Sequence, residues 1–334
     1  METAYFPLGW AIFLTLFAAA LWGSWMQVVK HIGNYPIMGL GFFLYFFSFI
    51  LVWAVTLILK PVLLEGTIWS YVSEDWNTSL TILAGGAMMA MGLYFSLKAM
   101  NRAGMLLSTA LSGTLQTILG LITSIYEEGM PQSEHALLLL ISCAVIMILA
   151  GFVCNYASVL RDRDYAEKQG LKAPEKKTVT FRIVMYLILA AVFTNGWSIG
   201  TATGTARNFP PIITCALMAT GSFIGMTVVA FISFTVKHQW REVFCVGTSK
   251  KPIVLGLIAA ACHYGGNLIS IYSMPEISAT LSFLFGKSSS VWSYFWGIYY
   301  KEFAGVKKRT VAVLVVGIAL YFVGLALLGL FNYS

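Results

Sequence analysis

The feature that most constrains this chain is a succession of ten long apolar runs parted by short polar or Pro/Gly breaks. They cover approximately 6–28, 36–59, 80–97, 103–125, 135–159, 183–205, 212–236, 253–272, 277–299 and 311–330. A helix needs about 20 apolar residues to cross a hydrocarbon core of roughly 30 Å, and lipid-buried backbone must satisfy its own hydrogen bonds, so runs of this length read as transmembrane helices. The balance of the 334 residues agrees: 58% are hydrophobic and only 10% charged, which suits lipid rather than water. Ten spans with short connections leave little chain for a soluble domain. The expected fold is an all-α integral membrane protein with ten transmembrane helices.

The first run is read as a retained helix rather than a signal peptide, because Met1 to Pro7 holds no Lys or Arg and the run exceeds a typical signal h-region. The five cysteines show no C-x-x-C or metal-type spacing, and four of them (Cys143, Cys154, Cys215, Cys262) fall inside apolar runs. They read as buried thiols, and neither a metal nor another cofactor is expected. The net charge of +7 is spread over loops rather than gathered into a patch, so it points to topology and not to nucleic acid.

Of the 21 Lys and Arg residues, only Lys60, Arg207 and Lys287 lie outside the loops that follow runs one, three, five, seven and nine. Basic loops remain cytoplasmic, which places the 161–182 linker inside the cell and both termini outside. The default location is the inner membrane of a cell.

Sliding the chain by 174 positions without a gap superposes one half on the other. Asn34 and Pro36 fall on Asn208 and Pro210, Ser24 on Ser198, and Ala87, Gly92, Ser96 and Met100 on Ala261, Gly266, Ser270 and Met274. Tyr126 and Glu128 fall on Tyr300 and Glu302. Apolar residues coincide by chance, whereas Asn, Pro, Gly and Glu in one register indicate duplication. The expected organisation is a five-helix repeat over 1–160, the linker, and a second repeat over 183–334. An odd number of spans per unit inverts the second copy, the 5+5 inverted repeat typical of secondary transporters with a midplane site.

Three segments resemble the drug/metabolite transporter superfamily over essentially the whole chain. Leu21-Trp22-Gly23-Ser24-Trp25 is similar to its first-helix L-W-G-[ST] signature, the 92–104 hairpin resembles its recurring aromatic and A-L-k segment, and Glu128 and Glu302 close the fourth helix of each unit. The proline usual in the middle of those helices is absent from 111–116 and 285–290. With the Gly- and Ser-rich centres and abundant Trp, the chain looks closest to the branch of rhamnose/proton symporters and glucose, ribose or ureide porters. In such proteins a lysine placed like Lys287 would anchor the solute.

Lys287 lies eleven residues into the 277–299 run. At ~1.5 Å per residue that is roughly 15 Å from either end, too deep to snorkel easily. A cation there costs about 2.5–3.5 kcal/mol on insertion scales, so such residues usually face a cavity and have a function; the bland account is a lysine bonded to backbone carbonyls. Gly286 and Ser288 lie beside it, while Ser112, Thr114 and Gln116 occupy the matching stretch of the fourth helix. Small residues of this kind serve close packing equally well. Trp22 and Trp197 offer aromatic faces to a sugar or a heterocycle, and Trp53, Trp69 and Trp240 read as interface anchors. His263, Tyr264 and Asn267 form a polar cluster in the eighth run, His263 and Asn267 being i and i+4.

No Asp or Glu lies in the middle of a run, so coupling to protons would fall to His263, Lys287, Glu128 or Glu302, the two Glu residues also reading as solvated loop acids. No P-loop, zincin, kinase or nucleophile-elbow pattern is present, which excludes ATP-driven transport by this chain alone. The sequence therefore predicts a secondary transporter for a small polar solute, foremost a sugar, with proton or sodium coupling compatible. Its rivals are an anionic or nitrogenous solute (sugar phosphate, nucleotide sugar, ureide) and a non-transporting receptor or membrane enzyme on the same scaffold.

Overall fold

A backbone amide in hydrocarbon has no water to bond, so each pass through the bilayer must be a closed set of internal hydrogen bonds. Among the described residues every regular element is accordingly a helix. The computed structural model describes residues 5–103, 105–131, 133–171, 180–245 and 249–331, with 100–103, 105–110 and 331 described by backbone alone. Gly104 and the middle of the expected linker (172–179) therefore lie outside the described residues, as does the side chain of Met100.

In chain order the helices are α1 (Leu8–Trp25), prolonged by a 3₁₀ turn over Met26–His31, α2 (Ile37–Leu63), α3 (Ile68–Glu74), α4 (Trp76–Ala103), α5 (Met105–Glu128) and α6 (Glu134–Lys168). They continue with α7 (Phe181–Thr194), α8 (Gly196–Ala206), α9 (Pro211–Val236), α10 (Trp240–Phe244), α11 (Lys251–Ile277), α12 (Ala279–Gly286), α13 (Ser289–Tyr299) and α14 (Lys308–Phe331). Among the described residues, eight helical passages are long and apolar enough to cross a membrane: Leu8–His31, Ile37–Leu63, Trp76–Ala99, Glu134–Lys168, Phe181–Ala206, Pro211–Val236, Lys251–Ile277 and Lys308–Leu330. The chain is an all-α, multi-pass membrane protein.

Helix α5 and the pair α12–α13 are not among those eight. Helix α5 carries Ser112, Thr114, Gln116 and Thr117 through its middle, and α12 and α13 are separated at Lys287 and Ser288 into pieces of 8 and 11 residues. The expected continuous 277–299 helix is thus broken at its centre. The 183–205 run is also interrupted, at Asn195 between α7 and α8. Helix α6 runs on to Lys168, so the start of the expected linker belongs to a helix.

The helix starts follow from local chemistry. Pro36 and Pro210 stand immediately before α2 and α9, where proline's fixed φ suits a helix entrance and its missing N–H costs nothing. Asp75 precedes α4 and accepts from the Thr78 N–H at 3.0 Å and the Thr78 hydroxyl at 2.6 Å, satisfying one of the orphan donors of the first turn. The matched N-Y-P and N-F-P segments turn differently: Gly33 takes the left-handed conformation before the first (φ 59°), whereas Asn208 itself takes it in the second (φ 53°).

Packing joins distant parts of the chain. Helix α4 lies against α7, α8 and α9, α1 against α11, α12 and α13, α2 against α9 and α11, and α6 against α14. Helix α5 contacts α4, α6, α7, α8 and α12. One large apolar core gathers Leu44, Tyr45, Met226, Phe234 and Tyr264 between α2, α9 and α11, and a second gathers Leu140, Leu284, Phe285 and Leu328 around α6, α12 and α14.

Candidate functional site

The interruption between α12 and α13 puts a charged residue at the meeting point of several helices. The Lys287 ammonium lies over the Phe283 ring, 4.4 Å from its centroid, one turn back on the same helix. None of the ion pairs among the described residues includes Lys287. Phe283 in turn presses its ring edge onto Gly120 of α5, where no side chain intervenes.

Helices α5 and α12 run antiparallel, because Glu128 at the end of α5 meets the start of α12. Its carboxylate accepts from the N–H of Ala279, from the N–H of Thr280 at 2.9 Å and from the Thr280 hydroxyl at 2.6 Å. One turn beyond the Phe283–Gly120 contact, away from that cap, come Lys287 on one helix and Gln116 on the other. The Gln116 amide donates to the Ser112 hydroxyl at 2.9 Å along α5. Leu111, Leu115, Ile118 and Ile122 form the exposed face of α5, and at about 100° per residue Gly113 and Gly120 fall on the opposite, inward face. No described atom lies within 4 Å of where a Cβ on Gly113 would stand, so the inward space beside it is open.

Trp22 of α1 forms the other wall. Its indole N–H donates to the side-chain oxygen of Asn267 at 2.8 Å and to the backbone oxygen of His263 at 3.2 Å. Its six-membered ring abuts Gly286, next to Lys287, and its plane meets that of Trp197 edge to face with centroids 5.8 Å apart. One indole therefore spans from the break in the α12–α13 pass to the polar residues of α11. Asn267 is 1% exposed, and with its oxygen fixed by Trp22, its amide nitrogen has no partner among the described residues. Both ring nitrogens of His263 are likewise buried and unpartnered there, with the rings of Trp25, Tyr45 and Tyr264 around the imidazole at 5.3, 5.7 and 5.5 Å.

The remaining expected site residues are placed elsewhere or engaged. The Tyr264 hydroxyl is fully buried between α9 and α11, 3.0 Å from the Met218 carbonyl and 2.5 Å from the Ser222 hydroxyl, itself 3.0 Å from the Gly86 carbonyl of α4, so that two hydroxyl protons serve three contacts. Ser288 donates to the Phe285 carbonyl at 2.7 Å, closing the last turn of α12. Glu302 contacts Lys30 and accepts from Arg161 at 3.0 Å, while the Tyr165 hydroxyl holds its backbone oxygen at 3.0 Å. Trp53 reaches across to α9 and donates to Thr220 at 2.9 Å.

Two residues at the site escaped sequence reasoning. Phe283 is one of 23 phenylalanines in an apolar run and carries no signal of its own. Asn195 does carry one, an amide in the middle of the sixth run: it donates to Thr123 of α5 at 2.8 Å, and its oxygen is buried without a partner among the described residues.

No family model and no curated protein matches the chain. A solved structure titled "Crystal structure of protein" matches with a TM-score of 0.65 at 14% identity, over 96% of this chain and 96% of that one. At that identity the likeness is one of fold.

Proposed function

We propose that this protein is a secondary active transporter of the drug/metabolite superfamily type, moving a small polar solute by alternating access, and that it is not an enzyme. The single observation that carries the reading is Lys287 at the break of the α12–α13 pass, facing Phe283 and flanked by Trp22, with no ion-pair partner among the described residues. Interrupted helices with an ionisable residue at mid-depth are how transporters build solute sites. Trp22 and Trp197 supply aromatic surface for the body of a sugar-sized solute, and Gln116, Ser112 and Asn267 supply hydrogen bonds. A sugar is the leading class.

Helix partnerships support ten passes arranged as an inverted five-plus-five repeat. Under a shift of 174 positions α1 corresponds to α7–α8, α2 to α9, α4 to α11, α5 to α12–α13 and α6 to α14. The contact of α1 with α11 then maps onto that of α7–α8 with α4, and that of α4 with α9 onto that of α11 with α2. The pairs α2–α9, α5–α12 and α6–α14 map onto themselves. A two-fold related pair of units can exchange its inward- and outward-facing forms by a common rocking motion. We place the 161–182 linker in the cytoplasm, both termini outside and the protein in the cell membrane. Coupling to protons or sodium fits this scheme.

The test is solute counterflow into proteoliposomes loaded with single sugars, sugar acids, sugar phosphates or ureides. Labelled solute is expected to accumulate transiently against its twin inside, and to stop doing so in Lys287→Gln. A protein that binds a solute but exchanges none of them across the vesicle wall is a receptor, and the transport reading falls.

A further inference from the structure

Around Trp22, the polar groups left over after the protein's own bonds are counted include one acceptor, the side-chain oxygen of Asn195, and are otherwise weighted towards donors. The Lys287 ammonium is a donor with a full positive charge. The Asn267 amide nitrogen is a donor because Trp22 occupies the oxygen end of that amide. The imidazole of His263 brings at least one N–H, and no carboxylate is bonded to it among the described residues.

Acidic side chains that might have balanced this field are tied down at the ends of the helices. Glu128 is spent on the start of α12, and Glu302 on Lys30 and Arg161. A site rich in donors, partly withdrawn from water and without an acidic neighbour among the described residues, discriminates by charge. A neutral solute leaves the ammonium uncompensated, whereas an anion supplies both the countercharge and acceptors for the amide and imidazole N–H groups.

Resting on the transporter reading above, we infer that the solute is an anion: a carboxylate or phosphate group that seats on Lys287 and draws the free N–H groups of Asn267 and His263, with its uncharged body against Trp22. This narrows the sugar class to sugar acids or sugar phosphates and to solutes of that chemistry.

The experiment compares glucose, glucuronate and glucose 6-phosphate, three solutes of one ring that differ in charge, by equilibrium binding to the detergent-purified full chain. Wild type, Lys287→Arg and Lys287→Gln are each checked first for a single monodisperse peak. Wild type is expected to bind one of the two anions at least ten-fold more tightly than glucose, Lys287→Arg to keep that preference, and Lys287→Gln to lose it. Whichever acid binds distinguishes a carboxylate from a phosphate. Glucose binding as tightly as both acids, a preference that survives in Lys287→Gln, or no binding of either acid each overturns the inference. Counterflow of neutral glucose alongside such a result leaves the transporter standing with an uncharged solute, while absence of all counterflow removes the transporter itself.

Discussion

The indole nitrogen of Trp22 lies 2.8 Å from the side-chain oxygen of Asn267, a bond between residues 245 positions apart that ties α1 to α11 and fixes which way the amide points. Trp22→Phe keeps an aromatic ring but strips the donor. Leaving a buried acceptor unpaired costs about 1–3 kcal/mol, and the amide becomes free to flip. We expect a lower unfolding temperature and a loss of solute affinity of roughly the same energy, read by thermal unfolding and binding on the same preparation. Unchanged affinity at lowered stability would make the bond a purely structural tie.

Gly265 and Gly266 are adjacent on α11 yet differ in what they face. A Cβ on Gly266 would stand 2.8 Å from the Trp22 indole nitrogen, whereas one on Gly265 meets its nearest neighbour, a Leu21 methyl, at 4.0 Å. Overpacking costs about 1–3 kcal/mol. Gly266→Ala should therefore lower stability and binding together, and Gly265→Ala should be close to silent. Thermal unfolding of the pair checks the direction in which the site lies.

The inward face of α5 offers the same contrast between open and filled space. Gly120→Ala collides with the Phe283 ring, displaces the platform under Lys287 and should destabilise the protein. Gly113→Leu places its Cβ in open space, so the protein should fold normally while solute uptake falls at least ten-fold. Normal uptake by Gly113→Leu would show that the space beside α5 is not on the solute's path.

Glu128 holds the first N–H groups of α12 and the Thr280 hydroxyl from a neighbouring helix. A negative group at a helix start contributes about 0.3–1 kcal/mol, up to ~2 kcal/mol when partly buried. Glu128→Gln keeps the shape and loses the charge, and should shift the population towards the form open at that face by up to about ten-fold, since 1.4 kcal/mol is one decade. The measurement is the rate of maleimide labelling of a cysteine placed at Ser278, which should rise in Glu128→Gln.

Asp75, before α4, lies outside the membrane-spanning segments, and the Thr78 hydroxyl and N–H hold its carboxyl below the ordinary value of 3.8. A depressed carboxylate contributes stability that is fully present above the unfolded value and disappears as the pH falls through the folded one. Wild type and Asp75→Ala should therefore differ in unfolding temperature by a constant amount from pH 7 to pH 5 and converge below pH 3.8. A gap that stays constant through that range would exclude the carboxylate as its source.

Eight of the expected spans were legible because lipid imposes a length and a composition that no other solvent does. The interruption at Lys287 and Ser288 was not legible. Nothing in Phe285-Gly286-Lys287-Ser288 has proline's steric signature, and the Ser288 hydroxyl bond to Phe285 appears only once the chain is folded. Trp22 could be nominated for its aromatic face but not for its nitrogen, because the partner on α11 is fixed by the packing of α1 against it. The same limit applies to Tyr264, which has the residue type of a ligand-binding group and whose hydroxyl is consumed by Met218 and Ser222. Glu128 and Glu302 look alike along the chain, and their different work is set by which helix ends meet them.

That difference gives the two ends of the broken pass unequal sensitivity to dissolved salt. At one end Glu128 is held by uncharged N–H and hydroxyl groups; at the other Glu302, its side chain 33% exposed, sits between the cations of Lys30 and Arg161. Counterions screen partly exposed charge pairs over a Debye length of about 10 Å at 0.1 M and about 3 Å at 1 M. Rising ionic strength loosens the Glu302 clasp while leaving the Glu128 cap nearly intact, so a symmetric plan of helices carries two fastenings that an electrolyte can tell apart.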